Sequence, residues 1–316
     1  TYYDRVNLQQ HADFPLDTIQ LNPAPNARAK VAALRQHLAG RPIPPPLTSG
    51  YQPALHCALA RTGRFHCLMH DTPSLFQGQH PTLKQRLRFA VSNWQIGRAM
   101  RRTGGVVIVT SEFLQAECRR DFGLHAEIAR MGGLGQQHTF RPRPVTGHLN
   151  MLSVSRIEAN KRIDWILDAL AALEAAPTPL SQCVDWRLDL AGKGSQLEAM
   201  TVRARDLGLA GRVHFHGFVP DAALEGLYDD AHLFLMPAVQ GYGIPAIEAL
   251  GRGIPVLLHR ESGVSDILLD TPWATVLTGG PEEMAPRLSG MLSWLLTNGH
   301  LAAPPPPKLP TEDTWA

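Results

Sequence analysis

The sequence predicts an α/β fold with parallel sheets covered by helices, built as two domains. Three observations predict it. From residue 149 onward, short continuous apolar runs alternate with helical segments, as they do where strands are buried on both faces. The chain has 316 residues, enough for two separate cores. A stretch rich in Gly and Pro, Met131 to His148 (GGLG, then RPRPV), parts that half from the first. The reading places a first domain over 1–140, a second over 149–300, and a linker with the start of a further helix over 301–316.

With 44% hydrophobic residues the chain can fill such cores, yet no apolar run nears the ~18 residues of a membrane helix. No cationic and apolar leader with a small-residue cleavage site opens the sequence, so the expected location is the cytoplasm. Cys57, Cys67, Cys118 and Cys183 have no pair at metal or redox spacing and read as buried thiols in a reducing compartment. The net charge of +2 is unevenly spread: residues 1–148 hold 18 Lys and Arg against 8 Asp and Glu, and the remainder is −8. Between Asp71 and Glu112 there is no acidic residue. So basic a half implies an anionic partner, whether lipid surface, phosphate or nucleic acid. A nucleic-acid module would need a recognisable motif and aromatic residues to stack on bases, and neither is present.

In chain order, 17–21 reads as a short strand and 27–39 as a helix closed by Gly40. The Pro-rich RPIPPPLTSG that follows is a loop by composition. Strand 64–69 delivers His70-Asp71-Thr72-Pro73 at its carboxyl end, where open α/β sheets gather ligands. Taken alone, His70 is a structural histidine or a site residue; His66, four residues before it on a strand, makes no metal pair. Residues 82–102 read as a long helix. On it Lys84, Arg88, Arg98 and Arg102 share one stripe, with Gln95 between, beside an apolar stripe of Leu83, Leu87, Ala90 and Trp94. The basic stripe is a solvated face or a surface for anionic lipid or an anionic acceptor. Next come a strand at 106–109, a helix over 112–121 with Ser111 before it and Gly123 after it, and one more strand at 125–130. Beyond the linker, strands are expected at 149–154, 186–191, 212–216, 232–236, 254–258 and 274–277. Helices are expected at 162–175, 195–207, 221–229, 245–250, 263–269 and 281–297.

The stretch 234–256, FLMPAVQGYGIPAIEALGRGIPV, organises the second half. An apolar strand ends in Pro237, a Gly-x-Gly turn follows, and Pro245 opens a helix whose first turn tolerates it. Strand, glycine turn and helix N-terminus together offer bare backbone amides and the positive end of a helix dipole to an anion. Glu248 lies one turn into that helix. By itself a Gly-x-Gly turn is equally a plain structural turn.

The whole string resembles the signature of the retaining glycosyltransferases of family 4, within glycosyl transferases group 1. The matching residues are Gln240-Gly241-Tyr242-Gly243-Ile244-Pro245, then Glu248-Ala249-Leu250, then Gly253-Ile254-Pro255-Val256. The family carries two glutamates separated by seven residues; here Glu248 is the second and Gln240 stands where the first is expected. Four more segments match in order: Ser155-Arg156-Ile157-Glu158-Ala159-Asn160-Lys161, Ala191-Gly192-Lys193-Gly194-Ser195, Phe215-His216-Gly217-Phe218-Val219-Pro220 and Ser262-Gly263-Val264-Ser265-Asp266. Singly, each is a solvated loop or a plain turn.

The resemblance implies the GT-B architecture, two Rossmann-like domains facing across a cleft. It implies retaining transfer of a hexosyl group, mannosyl or glucosyl, from a GDP- or UDP-linked sugar to a glycan, lipid-linked or small-molecule acceptor, as in polysaccharide biosynthesis. No metal and no other cofactor is expected. Arg156 and Lys161 would grip the donor diphosphate, and Gly241, Tyr242, Gly243 and Ile244 would offer amides to phosphate and sugar. Glu248 would accept from ribose hydroxyls, the segment holding Val219 would meet the nucleobase, and His70 would face the donor sugar. Gln240 would hydrogen-bond a sugar hydroxyl as a neutral amide. Family members also carry a βαβ unit before the segment resembling Thr1-Tyr2-Tyr3-Asp4, and a last helix, here begun at Thr311, that returns to the first domain. The charge missing at Gln240 leaves room for a non-catalytic homologue that only binds nucleotide sugar. Lys84, Arg88, Arg98 and Arg102 add an expected peripheral contact with the inner face of an anionic membrane; nucleic acid is not an expected partner.

Overall fold

The computed structural model describes residues 26–39, 44–77, 81–130, 139–178, 180, 185–269, 271–306 and 309. The strand expected at 17–21, Cys183 and the helix expected from Thr311 lie outside the described residues. The chain forms two compact units, Thr1–Val109 with Leu114–Ile128, and Thr110–Phe113 with Ala129–Ala316.

In the first unit α1 (Ala27–Leu38) starts at Asn26, whose side chain accepts from the Ala29 amide. The Pro-rich stretch read as a loop contains an edge strand, β1 (Leu47–Ser49), and runs into α2 (Tyr51–Ala60). Then follow β2 (His66–Met69), α3 (Leu83–Thr103), β3 (Val107–Val109), α4 (Glu112–Phe122) and β4 (Ala126–Ile128). The four strands pair in parallel in the order β1-β2-β3-β4. Helix α3 begins with a reciprocal cap, the Thr82 hydroxyl accepting from the Gln85 amide and the Gln85 side chain from the Thr82 amide. It ends at Gly104 in the left-handed region. The face it buries is Phe89, Asn93, Ile96, Gly97 and Met100, with Asn93 accepting from the Tyr51 hydroxyl at 2.7 Å. The apolar stripe singled out in the sequence is therefore not the packed one.

The second unit alternates β5 (His148–Val154), α5 (Ile163–Ala175), β6 (Asp185–Ala191), α6 (Leu197–Asp206), β7 (Val213–Gly217) and α7 (Asp221–Asp230). It continues through β8 (Leu233–Met236), α8 (Ile244–Gly251), β9 (Val256–His259), β10 (Ala274–Leu277) and α9 (Met284–Leu296). The segment 263–269, expected to be a helix, is a 3-10 turn over Gly263–Ile267. The helix expected over 281–297 splits into a short 3-10 turn, Pro281–Glu283, and α9.

Strands β8 and β9 are buried along their whole length, which is why their sequence is continuously apolar. All six strands run parallel, in the order β10-β9-β8-β5-β6-β7. Chain order thus runs outward in both directions from the β5/β8 pair. Physically this is a switch point: the connections leaving β5 and β8 turn to opposite sides of the sheet, and a crevice opens beyond their carboxyl ends.

Candidate functional site

Two loops leave the sheet at that point, 155–162 after β5 and 237–243 after β8, and they are fastened to each other. Val239 donates through its amide to the Asn160 carbonyl at 2.8 Å, and the Asn160 side chain donates to the Val239 carbonyl at 2.9 Å. Lys161 donates through Nζ to Gln240 Oε1 at 2.6 Å. The Gln240 amide nitrogen in turn donates to Ser262 Oγ at 3.1 Å and lies 3.1 Å from Met236 Sδ. Arg156 stands exposed on the first loop.

Arg162, which the sequence did not single out, buttresses this pairing. It donates to the Pro237 carbonyl and to the Glu261 carboxylate, and its guanidinium lies over Trp165 at 4.3 Å. Hydrogen bonding with His259, and then the charge of Arg162, brings the Glu261 carboxyl down to about 2.

The glycine turn is held from behind. The Gly241 carbonyl accepts from the hydroxyls of Thr110 (3.2 Å) and Ser111 (3.0 Å), and the Tyr242 carbonyl accepts from Ser262 Oγ at 3.1 Å. Asp266 accepts from the Glu112 amide at 2.9 Å and from Arg130 at 2.8 Å. With these carbonyls engaged, the turn is fixed while the first turn of α8 presents the orphan amides of any helix start. Two glycines are dictated by this geometry. At Gly243, with φ of +146°, a Cβ would stand 2.8 Å from Gln240 Nε2; at Gly263 it would collide with the Gly241 carbonyl oxygen. Pro245 follows Ile244 in the first turn of the helix, where a missing N–H costs nothing.

Glu248 is half-buried on α8 and accepts from the Tyr228 hydroxyl at 2.9 Å. Burial first, then the Glu248 charge, pushes the Tyr228 phenol far above its ordinary value, so it stays a donor. Nothing in the sequence marked Tyr228, since a tyrosine on an amphipathic helix reads as core. The Arg252 guanidinium lies over its ring at 4.4 Å and pairs with Glu225.

The loop after β6 packs on the loop after β5: Ile157 donates to the Lys193 carbonyl at 2.9 Å, and Ser195 donates to Glu158 through its amide and hydroxyl. Those two bonds hold the Glu158 carboxyl below its ordinary value. Val219 lies half-buried just past β7, next to an exposed Phe218.

In the first unit, His70 is exposed at the carboxyl end of β2, its ring beside Gly50. His66 has a structural task, its Nδ1 accepting from the Val106 amide. Cys57, Cys67 and Cys118 are free and buried, and burial lifts the first two thiols to about 11. The geometry thus brings Lys161, Gln240, Gly241, Tyr242, Gly243 and Ile244 together at one strand end. A fixed ammonium, a helix N-terminus and a neutral amide are the means to bind a phosphate ester and orient a polyol beside it.

Residues 137–293 match the family described as Glycosyl transferases group 1. A GDP-mannose-dependent α-(1-6)-phosphatidylinositol monomannoside mannosyltransferase of Mycolicibacterium smegmatis is 27% identical over 203 residues, 57% of this chain and 52% of that protein. The putative colanic acid biosynthesis glycosyltransferase WcaL of Escherichia coli is 29% identical over 151 residues, 45% of this chain and 35% of its own. The chain thus spans about half the length of the first of these relatives and about a third of the second. Among solved structures, WaaG, a glycosyltransferase involved in lipopolysaccharide biosynthesis, has a TM-score of 0.66 at 19% identity, over 91% of this chain and 79% of its own. The Anabaena HepE in complex with UDP and glucose has a TM-score of 0.65 at 17% identity, over 87% and 73%. These two likenesses are of fold.

Proposed function

We propose, from the premise that residues 137–293 form a glycosyl transferases group 1 domain, that the chain transfers a hexosyl group from a nucleoside diphosphate sugar with retention at the anomeric carbon. One observation carries the reading: Lys161 Nζ meets Gln240 at 2.6 Å where the strand order of the six-stranded sheet reverses, immediately before the glycine turn that opens α8. Lys161 and Arg156 supply positive charge to the diphosphate, and the α8 amides bind one of its phosphates. Glu248, oriented by Tyr228, accepts from the ribose hydroxyls, and the backbone by Val219 meets the base.

As the bond from the anomeric carbon to the diphosphate breaks, the acceptor oxygen attacks from the same face and its proton passes to the departing phosphate oxygen. His70 and Gln240 contact the donor sugar. Fixed cations and a helix terminus take the part a metal plays elsewhere, so chelators should leave turnover unchanged. Similarity to a GDP-mannose-dependent enzyme supports GDP-mannose first and a UDP-sugar second, and a lipid-linked acceptor. Such an acceptor fits peripheral contact with an anionic membrane through Lys84, Arg88, Arg98 and Arg102.

The test is a thermal-shift panel of GDP-, UDP- and ADP-sugars followed by a transfer assay. A donor at 100 times its Kd stabilises by about 2.7 kcal/mol, enough to rank the panel. No shift with any nucleotide sugar sinks the proposal. One observation favours a second reading, a homologue that binds donor without turning it over: the charge of the expected glutamate is absent at Gln240 and its amide is already bonded to Lys161 and Ser262. Gln240→Glu decides between them. If it creates transfer in a protein that had none, the binding-only reading is right; if it shifts sugar preference at unchanged nucleotide affinity, the transferase reading stands.

A further inference from the structure

Helix α3 carries two apolar faces, and only one is packed. The other consists of Leu83, Leu87, Val91 and Trp94, spaced four, four and three residues apart and so aligned in one stripe. These side chains are 74%, 60%, 54% and 57% exposed. Single exposed apolar residues need no explanation, but four large ones in a row mark a surface that is covered in use. The same helix bears Lys84, Arg86, Arg88, Arg98, Arg101 and Arg102 and no acidic residue. Arg101 is committed to the carbonyls of Phe122 and Gly123, whereas Lys84, Arg86, Arg88, Arg98 and Arg102 are exposed, Arg98 lying 5.4 Å from the centre of the Trp94 ring. A cavity of about 610 Å³ opens beside the stripe, and its lining includes Arg61, Arg98 and Arg102 together with Trp94 and the half-exposed Leu59.

We propose that this face seats on an anionic phospholipid bilayer, the Leu83–Leu87–Val91–Trp94 stripe entering the acyl boundary and the cavity arginines taking a lipid phosphate. The inference rests on the peripheral contact proposed above and adds insertion to it. Leu and Trp on one side of a helix with Lys and Arg flanking them is the arrangement of a helix lying in a membrane interface. Guanidinium forks match a phosphate, and an amphiphile matches a cavity whose lining includes both arginines and apolar side chains. A soluble phosphate would leave the stripe in water. A second copy of the chain would set two cationic faces against each other. Among the described residues no helix is long and apolar enough to cross a membrane, so attachment by this route lies along the surface.

The experiment uses the whole chain with vesicles of phosphatidylcholine alone or with phosphatidylglycerol, at low and high salt, some carrying brominated acyl chains. Expected is binding to the anionic vesicles with tryptophan fluorescence quenched by brominated lipid, most of the quenching being lost in Trp94→Phe. Leu87→Ser with Val91→Ser should weaken partition about tenfold or more at either salt, since apolar burial is not screened. Arg98→Gln and Arg102→Gln should each weaken it about fivefold, at low salt only. All these side chains are exposed, so melting temperatures serve as the control for folding. Binding that the arginine changes abolish and the apolar changes leave intact, without quenching, would keep the charge contact and overturn insertion. No binding to anionic vesicles, or self-association that the apolar changes remove, would overturn both.

Discussion

The strand ends of the two sheets are finished in opposite ways. Beyond β5 and β8 nearly every polar group is engaged: Lys161 with Gln240, Gln240 with Ser262, Asn160 with Val239, the Gly241 carbonyl with two hydroxyls. Beyond β2 the chain leaves His70 exposed, and Asp71 is bonded to the next residue's own amide. The first arrangement is set before a ligand arrives, as the leaving-group stabilisation proposed for it requires. The second leaves a side chain free to adapt.

Substitutions can break this contrast. The largest effect is expected at Lys161→Ala, which under the proposed function removes a fixed charge from the donor diphosphate and should lower turnover by about two orders of magnitude in steady-state kinetics. Unchanged kinetics would detach Lys161 from the diphosphate. Gly243→Ala should cost roughly 1–3 kcal/mol in urea unfolding, because its Cβ meets Gln240 in a backbone region reserved for glycine. His70→Ala should leave the same midpoint in place, and equal losses at the two positions would dissolve the contrast.

Smaller still is Tyr228→Phe, which leaves Glu248 without its donor. A lost hydrogen bond of about 1 kcal/mol corresponds to about fivefold in donor Kd, read by calorimetry. A separate change, read in stability rather than binding, is a pH dependence from a half-buried histidine. Burial, and then Arg143, push His232 down to about 4 from 6.5, and its Nδ1 accepts from the Asn150 amide. The unfolded chain binds the extra proton, so stability is full above about 6.5 and declines as pH falls towards 4. His232→Gln should flatten that slope; a slope that persists would mean other groups set it.

The second sheet was legible because its strands are buried on both faces and spell out unbroken apolar runs, as at Leu233–Met236. The first was less so. β1 is a three-residue edge strand directly after prolines, and α2 carries Pro53 in its first turn, so composition spoke for a loop where hydrogen bonding built structure. Periodicity found the long helix but not its inward face, since α3 has two apolar stripes and only packing against Tyr51 and its neighbours selects one. At the site, the residues in the recurrent string could be named from sequence. Those that hold them could not: Ser262 lies 22 residues from Gln240, Tyr228 lies 20 from Glu248, and Ser111 lies 130 from Gly241. Side chains that act through a carbonyl or a single hydroxyl leave no local pattern.

The hydroxyls of Thr110 and Ser111 on the Gly241 carbonyl have a consequence for how the molecule is made. The second unit is not one continuous length of chain, since it borrows Thr110–Phe113, the turn after β3 and the first two residues of α4. The glycine turn is synthesised some 130 residues after the hydroxyls that pin it, so closing that contact means closing a very long loop. A chain cut between Ile128 and Ala129 would keep all six strands of the second sheet and both loops at the switch point, and still lack the two donors that fix the turn. Grafting this second unit onto another first unit therefore carries a hidden requirement: the borrowed tetrapeptide has to travel with it.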